Sequence, residues 1–250
     1  MKTRPVLVVI GPKGGAGKTT LAVHLARALG TKARPALLVD LDPQAAASSW
    51  LLTDPWRCNV AADLEAGRPA RSVPAPKVPG VLVAPGDIDT AGHDAEFERT
   101  RARFPALLRT GEGIGAVVVD TPPSWGALVA AALASADAVL VAVECRTLGL
   151  VGLDRALDLI ARIQDRHRGL RLLGIVPQRL GRTRDSQRTE ALLRERYRAV
   201  LPAIRESARI GELPARNLTI FEAMPEGPAR GDFEALAAAV LRGLRGGSAR

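Results

Sequence analysis

Aromatic residues and cysteines are scarce in this 250-residue chain, and each scarcity closes off a class of protein. Aromatics make up 3% of the sequence, too few for the stacking platforms on which single-stranded nucleic acid lies. Two cysteines, Cys58 and Cys145, cannot build a disulfide framework, and without a paired CxxC spacing they form no zinc site. Both are expected to be small buried apolar residues. No run approaches the ~18 uninterrupted apolar residues of a membrane helix. The amino-terminal MKTRPVLVVIGPKGG has no small-residue cleavage site of a secretory signal. A cytoplasmic protein without stable membrane insertion is the expectation. The three histidines, His24, His93 and His167, have no Ser, Cys or Asp constellation around them and are expected to be structural. Lysine is scarce as well: 30 of the 35 basic residues are arginine, and two of the five lysines are Lys13 and Lys18.

What is abundant is apolar sequence, at 47%, enough to bury one sizeable core in one domain over residues 1–250. The net charge of +9 raises attraction to nucleic acid or an anionic surface without specifying a fold. Apolar, β-branched runs at 5–10, 36–40, 80–84, 116–120, 138–143 and 171–176 read as strands, and their continuity implies burial on both faces of a parallel sheet. Helical patterns alternate with them at 18–30, 44–51, 94–108, 124–135, 150–168, 185–199 and 231–244. This alternation predicts a doubly wound α/β fold, with helices on both faces and a ligand crevice at the carboxyl ends of the strands. The proline-rich, basic segment 67–79 reads as a surface loop.

Residues 11–20, GPKGGAGKTT, join the first strand to the first helix. Gly14, Gly15, Ala16 and Gly17 let backbone N–H groups face a common hollow. Lys18 supplies a charge for the β- and γ-phosphates, and the Thr19 hydroxyl can ligate Mg²⁺. Thr20 is placed to touch the α-phosphate. Lys13 is the unusual residue, a second ammonium that one phosphate chain hardly needs from the same subunit. Pro12 stands where the general GxxxxGK[ST] pattern has its first glycine. With no NKxD segment to read guanine, ATP is the expected nucleotide.

This KGGxGKT loop resembles the deviant Walker A motif of the ParA/MinD family of ATPases, and other segments extend the resemblance over nearly the whole chain. Residues 36–44, ALLVDLDPQ, resemble the family's DxDPQ strand end. Residues 116–124, AVVVDTPPS, are similar to its Walker B and switch II, and 219–234 to the carboxyl-terminal FE…RGE segment of small plasmid-partition ParA proteins. The resemblance implies a P-loop NTPase fold and a slow, Mg²⁺-dependent ATPase. Asp42 would orient the attacking water and help at the metal, Asp120 would hold a Mg²⁺-bound water, and Asp40 would shape the site or hold such a water. Lys13 would reach the partner's nucleotide in an ATP-dependent homodimer. The dimer would bind double-stranded DNA without sequence preference, and the chain would associate with the nucleoid until a ParB-like centromere-binding or adaptor protein stimulates hydrolysis.

Basic residues thicken after residue 178, and Arg184, Arg188, Arg209 and Arg230 are the candidates for DNA. Arg184, Arg188 and Arg198 would share about a quarter of one helix surface. Arg230 matches the family arginine that contacts DNA. With the loop starting at residue 11, no amino-terminal helix-turn-helix domain is expected, which argues against operator-specific binding. The tail LRGLRGGSAR lacks the bulky apolar face of a MinD-like membrane helix. A membrane-surface ATPase, a carboxysome- or chemoreceptor-array-positioning ATPase and a metabolic ATP-dependent ligase remain the alternatives.

Overall fold

The computed structural model describes residues 4–53, 58–94, 97–108 and 113–246. Residues 95–96 of the expected 94–108 helix, the His93 side chain and the last four residues of the basic tail lie outside that description. Seven strands form one sheet: β1 (Val6–Ile10), β2 (Ala36–Asp40), β3 (Val73–Pro74), β4 (Val81–Ala84), β5 (Ala116–Asp120), β6 (Ala138–Glu144) and β7 (Arg171–Gln178). Their order is β3-β4-β2-β5-β1-β6-β7, and every pairing is parallel except that of β3 with β4. This is the doubly wound parallel fold that the alternating pattern predicts.

Side chains alternate between faces along each strand, so one strand feeds two cores. Leu7 and Val9 enter the core under helices α1 (Lys18–Leu29), α2 (Ala46–Leu51) and α10 (Pro228–Arg245), where Leu21, Leu51 and Phe233 meet them. Val8 and Ile10 enter the other, under α3 (Val60–Glu65), α4 (Phe97–Leu107), α5 (Ala127–Ala134), α6 (Leu153–Arg166) and α7 (Arg184–Arg196), against Leu64, Phe104, Leu128, Ile160 and Leu193. The uninterrupted apolar runs are uninterrupted because both faces are covered.

Several expectations need correction. Segment 67–79 is not simply a surface loop: Val73–Pro74 pair with β4 at the sheet edge, and Ala75 and Val78 are buried. Pro74 is tolerated because an edge strand has a side that needs no ladder N–H. The helix expected from residue 44 starts at Ala46, since Ala45 is left-handed at φ 49°. The helix expected to run to 199 ends at Arg196, where Tyr197 turns extended, so Arg198 does not share its face with Arg184 and Arg188. Helices α3, α8 (Ala208–Arg216) and α9 (Ile220–Ala223) were hidden by their short patterns. Cys145 is buried as expected, whereas Cys58 is only half-buried.

Candidate active site

Strands β1, β2 and β5 end side by side, and their carboxyl ends carry the site. Asp40 and Asp120 are register partners across β2 and β5, and Asp120 also neighbours Val9 of β1. The loop after β1 turns into α1 through Gly17, whose backbone is left-handed at φ 86°. A side chain there would be strained, and its Cβ would sit 3.0 Å from Gln178 Oε1. The Gln178 amide from β7 thus closes one side of the loop, and its buried Nε2 has no hydrogen-bond partner.

A pocket of about 200 Å³ opens over this loop, lined by Gly14, Gly15, Gly17, Lys18, Thr19, Thr20, Asp42, Pro123 and Arg179. Ala16 is buried beneath it. Lys18 is almost buried and donates to the Lys13 carbonyl at 3.4 Å. Desolvation pulls its pKa down, against the attraction of Asp120 and Asp42.

The three carboxylates have separate surroundings. Asp40 is fully buried and accepts from Ser48 N at 2.8 Å, Ser48 Oγ at 2.7 Å and Asp42 N at 3.1 Å. It ties the β2–α2 loop into shape, and burial pushes its pKa up to about 6. Asp42 lies at the pocket wall, where its Oδ1 accepts from Gln44 N at 2.9 Å. That is an Asx turn, and the helix cap falls three residues later at Ala45.

Asp120 is fully buried and accepts from Thr121 N at 3.1 Å, with the Thr19 side chain close by. Its Oδ2 has no partner. Burial first, and the nearby Asp40 second, push its pKa up to about 8. Two buried carboxylates and a threonine hydroxyl beside a phosphate loop, with one carboxylate oxygen unspent, fit a divalent cation that also takes phosphate oxygens. Thr121 donates to Val9 O at 2.8 Å, anchoring the Thr121-Pro122-Pro123 turn to β1.

Lys13 lies in the loop but does not line the pocket; its Nζ is 3.8 Å from Glu144 Oε2 at the end of β6. Gln178 and Glu144 were not singled out from the sequence, and Arg179 figured there only among the basic residues that thicken after 178. Glu144 ends an apolar strand as Asp40 and Asp120 do, and that signal could have found it.

The arginines expected to meet DNA are scattered. Arg184 and Arg188 are exposed, 40° apart on α7, and Arg209 is exposed on α8. Arg230 is engaged internally: Nη1 donates to Phe221 O and Met224 O, both at 3.0 Å, Nε donates to Glu234 at 2.7 Å, and the guanidinium lies over the Phe221 ring.

Fold and site together define a P-loop ATPase. A family model described as an AAA domain matches residues 4–171. The chain is 34% identical over 247 residues to the chromosome-partitioning ATPase Soj of Thermus thermophilus, covering 94% of each chain. It belongs to the ParA/MinD family of P-loop ATPases, and ATP and Mg²⁺ are its cofactors. Among solved structures it is similar to a protein named cobyrinic acid a,c-diamide synthase from Mycobacterium smegmatis, bound to an ATP analogue and magnesium. That likeness has 30% identity and a TM-score of 0.80, covering 98% of this chain and 97% of that one. The fold is also that of apo McdA from Cyanthece, with 21% identity and a TM-score of 0.83, covering 95% of this chain and 100% of that one.

Proposed function

We propose that this ParA-type ATPase closes into a sandwich dimer around two ATP molecules, binds DNA without sequence preference as that dimer, and lets go after partner-stimulated hydrolysis. The observation that carries the reading is Lys13. Its ammonium belongs to the phosphate loop yet rests on Glu144 outside the loop's own pocket. A second copy facing this surface would offer it the phosphate oxygens that its own site leaves to Lys18.

Within one subunit, Lys18 and the loop N–H groups would hold the β- and γ-phosphates, and Thr19, with Asp120 through a bound water, would hold Mg²⁺, which would supply charge neutralisation at the phosphates. Asp42 orients the attacking water at the pocket wall. The exposed Arg184, Arg188 and Arg209 support backbone-directed contact with DNA on a chain of net charge +9. One domain, residues 1–250, suffices for this cycle, and a ParB-like or other adaptor protein is the proposed stimulator. Lys13→Gln should still bind ATP but lose ATP-dependent dimerisation, read by light scattering; a dimer of undiminished affinity would refute the cross-subunit role.

A second reading follows from the resemblance to the protein named as a synthase: ATP could activate a carboxylate for amide formation. The 34% identity to a chromosome-partitioning ATPase over 94% of both chains favours the partition reading. ATP turnover stimulated by DNA together with an adaptor, rather than by a carboxylate and an amine donor, would separate the two.

A further inference from the structure

Glu144 has a side chain only 9% exposed, and three cations converge on it: Arg146 Nε at 3.3 Å, Arg179 Nη1 at 3.6 Å and Lys13 Nζ at 3.8 Å. Arg179 lines the phosphate pocket and Lys13 belongs to its loop, yet the hydrolytic step makes no use of this acid. A carboxylate so far out of water needs a counter-charge, but it does not need three. Arg146 and Arg179 keep it paired when Lys13 leaves. The Lys13 side chain is 42% exposed, so the hold on it is that of a partly screened pair, about fivefold or less in an equilibrium constant.

We infer that Glu144 is a positioning residue that holds Lys13 off the nucleotide in the isolated chain and so raises the protein concentration at which the ATP-bound dimer forms. This rests on the cross-subunit role proposed for Lys13. The pair exists only before association, so its stabilisation counts against the dimer. Once a second copy presents a polyphosphate, the ammonium exchanges one carboxylate for several phosphate oxygens, and Glu144 retains its two guanidinium groups.

Glu144→Gln removes the charge while keeping the shape, and Glu144→Asp keeps the charge. Both are tested in the full chain. Limiting acetylation of the nucleotide-free protein, read by peptide mass spectrometry, reports on Lys13 because a paired ammonium reacts slowly. Lys13 should be labelled about two- to fivefold faster in Glu144→Gln than in wild type, with Lys32 and Lys77 unchanged and Glu144→Asp close to wild type. With a non-hydrolysable ATP analogue and Mg²⁺, sedimentation should find Glu144→Gln dimerising at about four- to twenty-five-fold lower concentration, because each dimer gives up two such pairs. Unchanged Lys13 labelling overturns the hold. A wild-type dimer whose affinity Glu144→Gln leaves unchanged or weakens overturns the threshold role while sparing the cross-subunit reading. Absence of any dimer in either chain overturns both.

Discussion

Acidification should weaken the joint between α1 and the carboxyl-terminal helices by a calculable amount, through one histidine. His24 is fully buried, stacked on Phe233 with ring centroids 4.1 Å apart and edge-on to Trp50 at 5.6 Å. Its Nδ1 donates to Thr20 O at 2.7 Å, so its Nε2 is the acceptor for Ile220 N at 3.1 Å. A proton on Nε2 would set two donors against each other inside an apolar core. Burial accordingly pulls the pKa from 6.5 to about 4, against the opposing pull of the Thr20 bond. Between those values the unfolded chain binds a proton that the folded chain refuses, so stability rises with pH across this window and is lost on acidification. Linkage over those two values puts the loss at about 2 kcal/mol between pH 7 and 5, and about 3 kcal/mol by pH 4. The raised pKa values of Asp40 and Asp120 act in the opposite sense, since their folded carboxyls take up protons before the unfolded ones do. The total curve is therefore the wrong readout. The right one is the difference between wild type and His24→Gln in urea unfolding at several pH values: the variant, though less stable at pH 7, should lack about 2 kcal/mol of the loss between pH 7 and 5. Parallel stability curves for the two proteins would refute the buried neutral histidine.

Lys18→Ala should abolish nucleotide binding in calorimetry, because it removes the buried ammonium from the floor of the phosphate pocket. Asp42→Ala should retain ATP binding but lose turnover by at least tenfold in a phosphate-release assay, since it removes a pocket-wall carboxylate without touching the cradle, and wild-type turnover would move water positioning elsewhere. Replacing Arg184 and Arg188 together by Ala should reduce the slope of log affinity against log salt for duplex DNA by about four, two contacts from each subunit of the dimer, with ATPase rate unchanged in the absence of DNA. Arg230→Ala should cost about 2 kcal/mol in urea unfolding, because it strips the hydrogen bonds from two carbonyls of the α9 turn; any DNA-binding defect in that variant has to be judged against this loss.

The sheet was legible because a strand buried on both faces leaves an uninterrupted apolar run, and six of the seven strands do so. β3 left no such run: two residues, one of them proline, pair only because β4 needs an edge partner. α9 is equally opaque, four residues long and stabilised by a reciprocal bond between Thr219 and Glu222 that sequence spacing permits in many loops. Arg230 illustrates a different limit. Its position in the PARGD segment suggested a surface role, but a guanidinium forks toward whatever carbonyls the fold brings near, and here α9 supplies two.

Within the site, sequence found all three aspartates, and only the family resemblance divided their labour, because each is by itself an acid at or just past a strand end. Burial and donors divide it. Asp40 spends its oxygens on Ser48 and the Asp42 amide, so it acts on the loop. Asp42 keeps one oxygen on Gln44 and borders the pocket, so it can act on water. Asp120 keeps Oδ2 unspent in the interior, where only a cation or a proton can compensate it. Glu144 belongs in the same series, at the end of the next strand but one, and differs in being answered by the chain's own cations. The strand ends therefore carry one carboxylate left for a ligand, on β5, and one already neutralised, on β6, with β1 between them. Lys13 stands on the loop after β1, between β5 and β6, and this is why the proposed exchange of Glu144 for a second copy's phosphates would be read at that one ammonium.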